Sequence, residues 1–157
     1  MEPAATATQE LEWDEFTLID GNKCIGSGWA APCTVILAQG DKTRPAYLGH
    51  FLRLATADGM VNLQIMKMLM EARKLFGRQL RVKIRGNSFF PHQGEHLRHM
   101  QLHQRQILEG MLKTIDIPAD IVWSEDNKLI YVTFDARTGK ETMETRDYVP
   151  ASSSAGP

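Results

Sequence analysis

Two apolar runs, Cys33–Ala38 (CTVILA) and Ala46–Leu54 (AYLGHFLRL), flank the short polar stretch Gln39–Pro45 (QGDKTRP). The first is rich in β-branched residues and reads as a buried strand, and the second returns after the loop as its partner. A loop this short joins antiparallel neighbours, so the pair is expected to form a hairpin. Other elements are arranged around it. Glu15–Asp20 alternates and reads as a strand. Asp58 and Gly59 precede a helical stretch, Met60–Gly77, in which Leu63, Met66, Met70 and Ala72 to Leu75 recur at near-helical spacing and Gly77 is the expected stop. Gln79–Gly86 (QLRVKIRG) alternates apolar and basic residues, as a half-buried strand does. A second helix is expected from about Gly94 to Lys113, and three strands from Ala119 onward, with turns at Glu125–Asn127 and at DARTGK. The fold class is therefore α+β, a single layered domain of mixed β-sheets with two main helices packed outside.

Composition sets the boundaries of function. The chain has 157 residues, which suits one domain, and carries 18 Lys+Arg against 19 Asp+Glu. That balance argues against a general nucleic-acid or membrane-surface binder. Two cysteines, Cys24 and Cys33, do not make a disulfide scaffold. No apolar run approaches the roughly 20 residues of a spanning helix. The acidic start MEPAATATQELEWDE lacks the basic and apolar regions of a signal peptide. A cytoplasmic protein with reduced thiols and no membrane insertion is expected. Residues 1–10 and 149–157 have the composition of disordered ends, leaving a domain over 11–148.

The hairpin has a chemical consequence. If Ala38 faces Ala46, Cys33 falls opposite Phe51 and next to His50. A shift of one or two residues puts His50 opposite or diagonal to Cys33. Side chains directly across such a pair lie about 4.5–5.5 Å apart at Cβ. An imidazole beside a thiol can take its proton, and the thiolate can attack an electrophilic carbon. Ser27, on the glycine-flanked lead-in GSG, has a hydroxyl small enough to reach the other ring nitrogen and fix the tautomer. The same residues allow a second reading, since free cysteine often packs as a small hydrophobe. Cys24, beside Ile25 and with no partner at an obvious spacing, takes that reading.

Ser27, Cys33 and His50 stand at the spacings of a hydroxyl residue, a cysteine and a histidine in a known family. The histidine lies in YLGHFLRL, an amphipathic helix leads into LRVKIRGNSFF, and a second helix leads into DIVWSEDNKLIYVTFDARTGKETMET. In this ordered set, from about Glu15 to Arg146, the chain resembles the CheD family of bacterial chemoreceptor glutamine deamidases. The resemblance implies that Cys33 is the nucleophile of a cysteine amidohydrolase and His50 its acid–base partner. Ser27 would orient His50, and Gly86, Asn87 and Ser88 would bind substrate. No metal or organic cofactor is implied. The implied partners are glutamines on chemoreceptor signalling helices and a CheC-type phosphatase. The sequence departs from the family at Ala31-Pro32-Cys33, where the family writes Gly-Ser-Cys. Ser27 replaces threonine, and Gly86-Asn87 stands where the family has two glycines. Pro32 removes an amide donor just before the thiol. A deamidase-like binding module without turnover, and a deamidase acting on another protein, are the competing functions.

Other features read as packing or surface. Trp29 is placed as a wall of a pocket for an extended glutamine side chain, with Phe89, Phe90 and Pro91 as a second rim. His92, His96, His99 and His103 would share one face of a continuous helix, but Gly94 suggests that the helix starts after His92, and Arg98 and Arg105 disfavour a cation. A solvated polar face is the expectation there, with no metal. Met60, Met66, Met68 and Met70 read as core or contact surface, with Lys67 and Met68 on the exposed side.

Overall fold

A computed structural model describes residue 7 and residues 9–41 and 44–148. Among them are strands β1 (Gln9–Glu10), β2 (Glu15–Ile19), β3 (Cys24–Gly26), β4 (Thr34–Gln39) and β5 (Ala46–Phe51). Helix α1 (Leu63–Phe76) and strand β6 (Arg81–Gly86) follow, then helix α2 (Glu95–Thr114) and strands β7 (Ala119–Trp123), β8 (Lys128–Asp135) and β9 (Lys140–Asp147). The architecture is mixed α+β, with one sheet in the order β2-β5-β4-β6-β7 and another in the order β1-β3-β8-β9. Each sheet combines parallel and antiparallel pairs.

The unbroken apolar character of β4 follows from its central place. Ile36 and Ala38 face a core shared with α1 and α2, where they meet Ile65, Met68, Leu69, Leu108 and Leu112. Val35 and Leu37 point the other way, into a second core against Ile25, Ile130, Val132 and Phe134 of the other sheet. From Val35 to Ala38 alternate residues therefore serve different layers, and the polar residues Thr34 and Gln39 stand at the strand's ends. Burying one such aliphatic side chain contributes about 1.5–3 kcal/mol. β6 lies beside β4 but alternates, with Val82 and Ile84 buried against the helices and Lys83 and Arg85 on the opposite face.

Asn62 caps α1, its side chain accepting from the Gln64 amide at 2.8 Å, and Gly77 ends the helix as expected. The buried stripe is Ile65, Met68, Leu69, Ala72 and Phe76. This corrects the stripe expected from Leu63, Met66 and Met70: Leu63 is 73% exposed, and Met68, expected outside, is fully buried. The helix is apolar on more than one side, so spacing alone fits two stripes, and the one ending in Phe76 matches the sheet. Residues 9 and 10 pair in parallel with Ile25 and Gly26, which corrects the expectation of disorder through residue 10. The rest of the expected N-terminal disorder, at residues 1–6 and 8, and the tail at 149–157 lie outside the described residues. Among the described residues no helix is long and apolar enough to cross a membrane.

Candidate active site

The register of the central hairpin decides which side chains can meet. Gln39 faces Ala46, Val35 faces His50 and Thr34 faces Phe51, one residue removed from the register expected from the loop. His50 therefore projects on the same face as Val35. Cys33, two residues before Val35, joins Val35 in the core between the sheets. Thiol and imidazole are thus diagonal neighbours on one face. Diagonal positions are roughly 7–8 Å apart along the backbone, within reach of a long or aromatic side chain. The two groups share no hydrogen bond: His50 Nε2 is buried and has no partner among the described residues.

The other ring nitrogen is held firmly. His50 Nδ1 lies 2.6 Å from the main-chain carbonyl oxygen of Ser27. A carbonyl can only accept, so neutral His50 carries its proton on Nδ1 and presents Nε2 as the base. Ser27 is therefore the residue that orients His50, but through its main chain rather than the hydroxyl expected from the sequence. The hydroxyl is otherwise engaged: Ser27 Oγ donates to the Gly28 carbonyl at 2.7 Å and accepts from the Val132 amide at 2.9 Å. With Ser27 N–H donating to Val132 O at 2.7 Å, the lead-in loop is stitched to β8 of the second sheet. Gly28 continues the loop at φ +77°, and a Cβ there would sit 3.8 Å from His50 Nδ1. The space would admit a side chain, so it is the left-handed backbone that favours glycine here.

Cys33 is clamped from the opposite side. Its carbonyl accepts from the Asn87 amide at 2.8 Å, and Asn87 Nδ2 donates to Thr34 Oγ1 at 3.2 Å. Asn87 is held in turn by Arg105, whose Nε donates to Asn87 Oδ1 at 2.6 Å. Ser88 Oγ donates to Glu125 O and accepts from the Lys128 amide. Gly86, at φ +98°, brings its Cα so near the Cys33 carbonyl that a Cβ would lie 2.7 Å from the oxygen. The substrate-binding role expected for Gly86, Asn87 and Ser88 does not match these contacts. Their polar atoms are buried and used within the protein, and what they do is fix the backbone that carries the thiol. Phe89 and Phe90 are also buried, with Arg98 over the Phe89 ring and Tyr148 against Phe90.

Asp14 is a residue the sequence reading missed. Its amide donates to His50 O at 2.7 Å, and its Oδ1 accepts from the Leu52 amide at 3.2 Å, with Asp14 itself at φ +58°. Nothing in the local sequence marks it, because its importance comes from pairing across to the end of β5. Burial pushes the Cys33 thiol up to about 12, and the Asp14 carboxylate adds to that rise. Burial lowers the His50 pKa, while the bond to Ser27 and the charge of Asp14 oppose the fall. Near neutral pH the site is accordingly a protonated thiol beside a neutral imidazole. An unpaired thiolate would be costly there, so any chemistry must move the thiol proton as the new bond forms.

A cleft of about 520 Å³ lies over His50, lined also by Glu10, Leu11, Glu12, Trp13, Gly28 and Trp29. Trp29 stands in its wall, its ring packed against Tyr131 at 5.3 Å and covered by the Arg146 guanidinium at 4.0 Å. Cys33 is 2% exposed and does not line the cleft. A cleft of similar volume near Arg78, Lys83 and Asp120 has no cysteine or histidine among its described lining residues. The histidine stripe is interrupted as anticipated: α2 begins at Glu95, so His92 sits in the preceding turn, stacked on Tyr148, and His96, His99 and His103 lie exposed along the helix. Compared with known proteins, the chain matches no family model and no curated protein.

Proposed function

We propose that this protein is a cysteine amidohydrolase of the CheD type that converts glutamine side chains of proteins to glutamate. The observation that carries the reading is the orientation of His50: its Nδ1 proton is committed to a main-chain carbonyl, and its Nε2 is buried, unpartnered and on the same sheet face as Cys33. A buried polar atom without a partner is costly and calls for a role. The α+β class of the fold is compatible with the resemblance.

The reaction follows from the two neutral groups. Nε2 takes the Cys33 proton as Sγ attacks the amide carbon, giving a tetrahedral intermediate and an imidazolium. The imidazolium protonates the amide nitrogen, the C–N bond breaks, and ammonia leaves a thioester. Nε2 then deprotonates water, which attacks the thioester carbon. The C–S bond breaks, the sulfur takes back the proton, and glutamate is released. The substrates proposed are glutamines on chemoreceptor signalling helices in the cytoplasm, with a CheC-type phosphatase as a second partner.

The experiment is deamidation of a receptor signalling fragment, read by mass spectrometry. Cys33→Ala and His50→Ala are each expected to abolish conversion; a wild-type rate in either refutes the assignment. The burial of Cys33 favours a second reading, a CheD-like module that docks a receptor or phosphatase without turnover. It predicts binding of the fragment with no conversion by the wild-type protein.

A further inference from the structure

Resting on the deamidase reading, we propose that the cleft over His50 selects segments in which the target glutamine is flanked by lysine or arginine. Two kinds of group that favour cations line it. Glu10 and Glu12 supply carboxylates from the cleft lining, and Asp14 follows on the turn before β2. Glu10 accepts the Tyr131 hydroxyl through one oxygen at 2.9 Å, while its other oxygen lies toward Gly28, 3.6 Å from where a Cβ would stand. Glu12 is exposed.

The indoles are the second kind. Trp13 is 65% exposed at the rim, and Trp29 lies in the wall. Arg146 already stacks on Trp29 at 4.0 Å, so the protein's own guanidinium occupies the neighbouring ring in the manner expected of a substrate side chain on Trp13. The cleft is also more than an acidic surface. His50 lines it, is 1% exposed, and carries the unpartnered Nε2. A glutamine side chain entering over His50 would leave its neighbours in the chain near the Trp13 indole and the carboxylates.

The test uses two peptides of equal length, with one glutamine flanked by lysines or by glutamates. Binding is measured by calorimetry on the full chain carrying Cys33→Ala, and deamidation is measured in parallel on the wild type. One exposed ion pair is worth up to about 1 kcal/mol, so the lysine peptide should bind more tightly by up to about fivefold for each carboxylate engaged. The preference should shrink as salt is raised. Glu12→Lys, at an exposed position, should remove or reverse it, and Trp13→Ala should weaken binding of the lysine peptide. Equal affinities for the two peptides, or a preference unchanged by Glu12→Lys, overturn the inference whether or not the wild type deamidates. A lysine preference, with no deamidation of either peptide or of the receptor signalling fragment, upholds recognition by the cleft and refutes the deamidase reading instead.

Discussion

Replacing Ser27 with alanine separates two ways in which this residue could serve the site. The hydroxyl is fully buried, donates to Gly28 O at 2.7 Å and accepts from Val132 N–H at 2.9 Å. Alanine leaves the Val132 amide without that acceptor, and an unmet buried donor costs about 1–3 kcal/mol. For a domain of this size each kcal/mol lowers the melting temperature by about 2–4 °C, so a fall of roughly 2–12 °C is expected. The carbonyl that holds His50 is untouched by the substitution. Nitrogen NMR of the imidazole should therefore still report Nδ1–H, and turnover per folded molecule should stay within a few fold of wild type. Chemical denaturation, imidazole NMR and deamidation on the same sample provide the assay. A Ser27→Ala protein of undiminished stability that loses the Nδ1–H tautomer would refute the assignment of the carbonyl as the orienting group.

Four further outcomes are expected. Burial pushes the Cys33 thiol up to about 12 from its ordinary value of 9.0, so between these values the unfolded chain loses a proton that the folded one keeps. Stability should fall as pH rises from 9 toward 12, by up to roughly 4 kcal/mol from this group, and denaturant titrations of Cys33→Ala should show a correspondingly shallower loss. His50 acts at the other end: its folded pKa is depressed, so its contribution is complete above the unfolded value of 6.5 and is lost as pH falls through the folded one. Asp14→Asn removes a charge that favours the imidazolium, so the acidic limb of the pH–rate profile should move to lower pH; a limb that stays in place would show that the carboxylate does not act on His50. Gly86→Ala forces a Cβ against the Cys33 carbonyl at φ +98°, and thermal melts should show a loss of at least about 1–3 kcal/mol.

What the sequence made legible was local. The run CTVILA, the loop after it and the alternation in QLRVKIRG each identify an element through its periodicity, and the observed strands agree within a residue or two. The proximity of Cys33 and His50 was legible because a single short loop sets it; even the one-residue error in register leaves the two positions diagonal. The division into two sheets was not visible, because β3 is short and its pairing with β8 joins residues more than a hundred positions apart. For the same reason the roles of Ser27 and Asn87 were misread. A polar residue near a reactive one invites a chemical role for its side chain, whereas here the side chains close internal hydrogen bonds and the backbone does the positioning. Asp14 went unnoticed because a turn residue gains meaning only when a distant strand end folds onto it.

The stitching of the Ser27 loop to β8 has a mechanical implication. Sulfur and ring both ride on one layer, while the oxygen that sets the ring's protonation pattern is tethered to the other. A small slip of one layer over its neighbour would release the imidazole before it disturbed either reactive group's own strand. The basicity of Nε2 is therefore a gauge of how well the two layers are seated, and it should change ahead of unfolding.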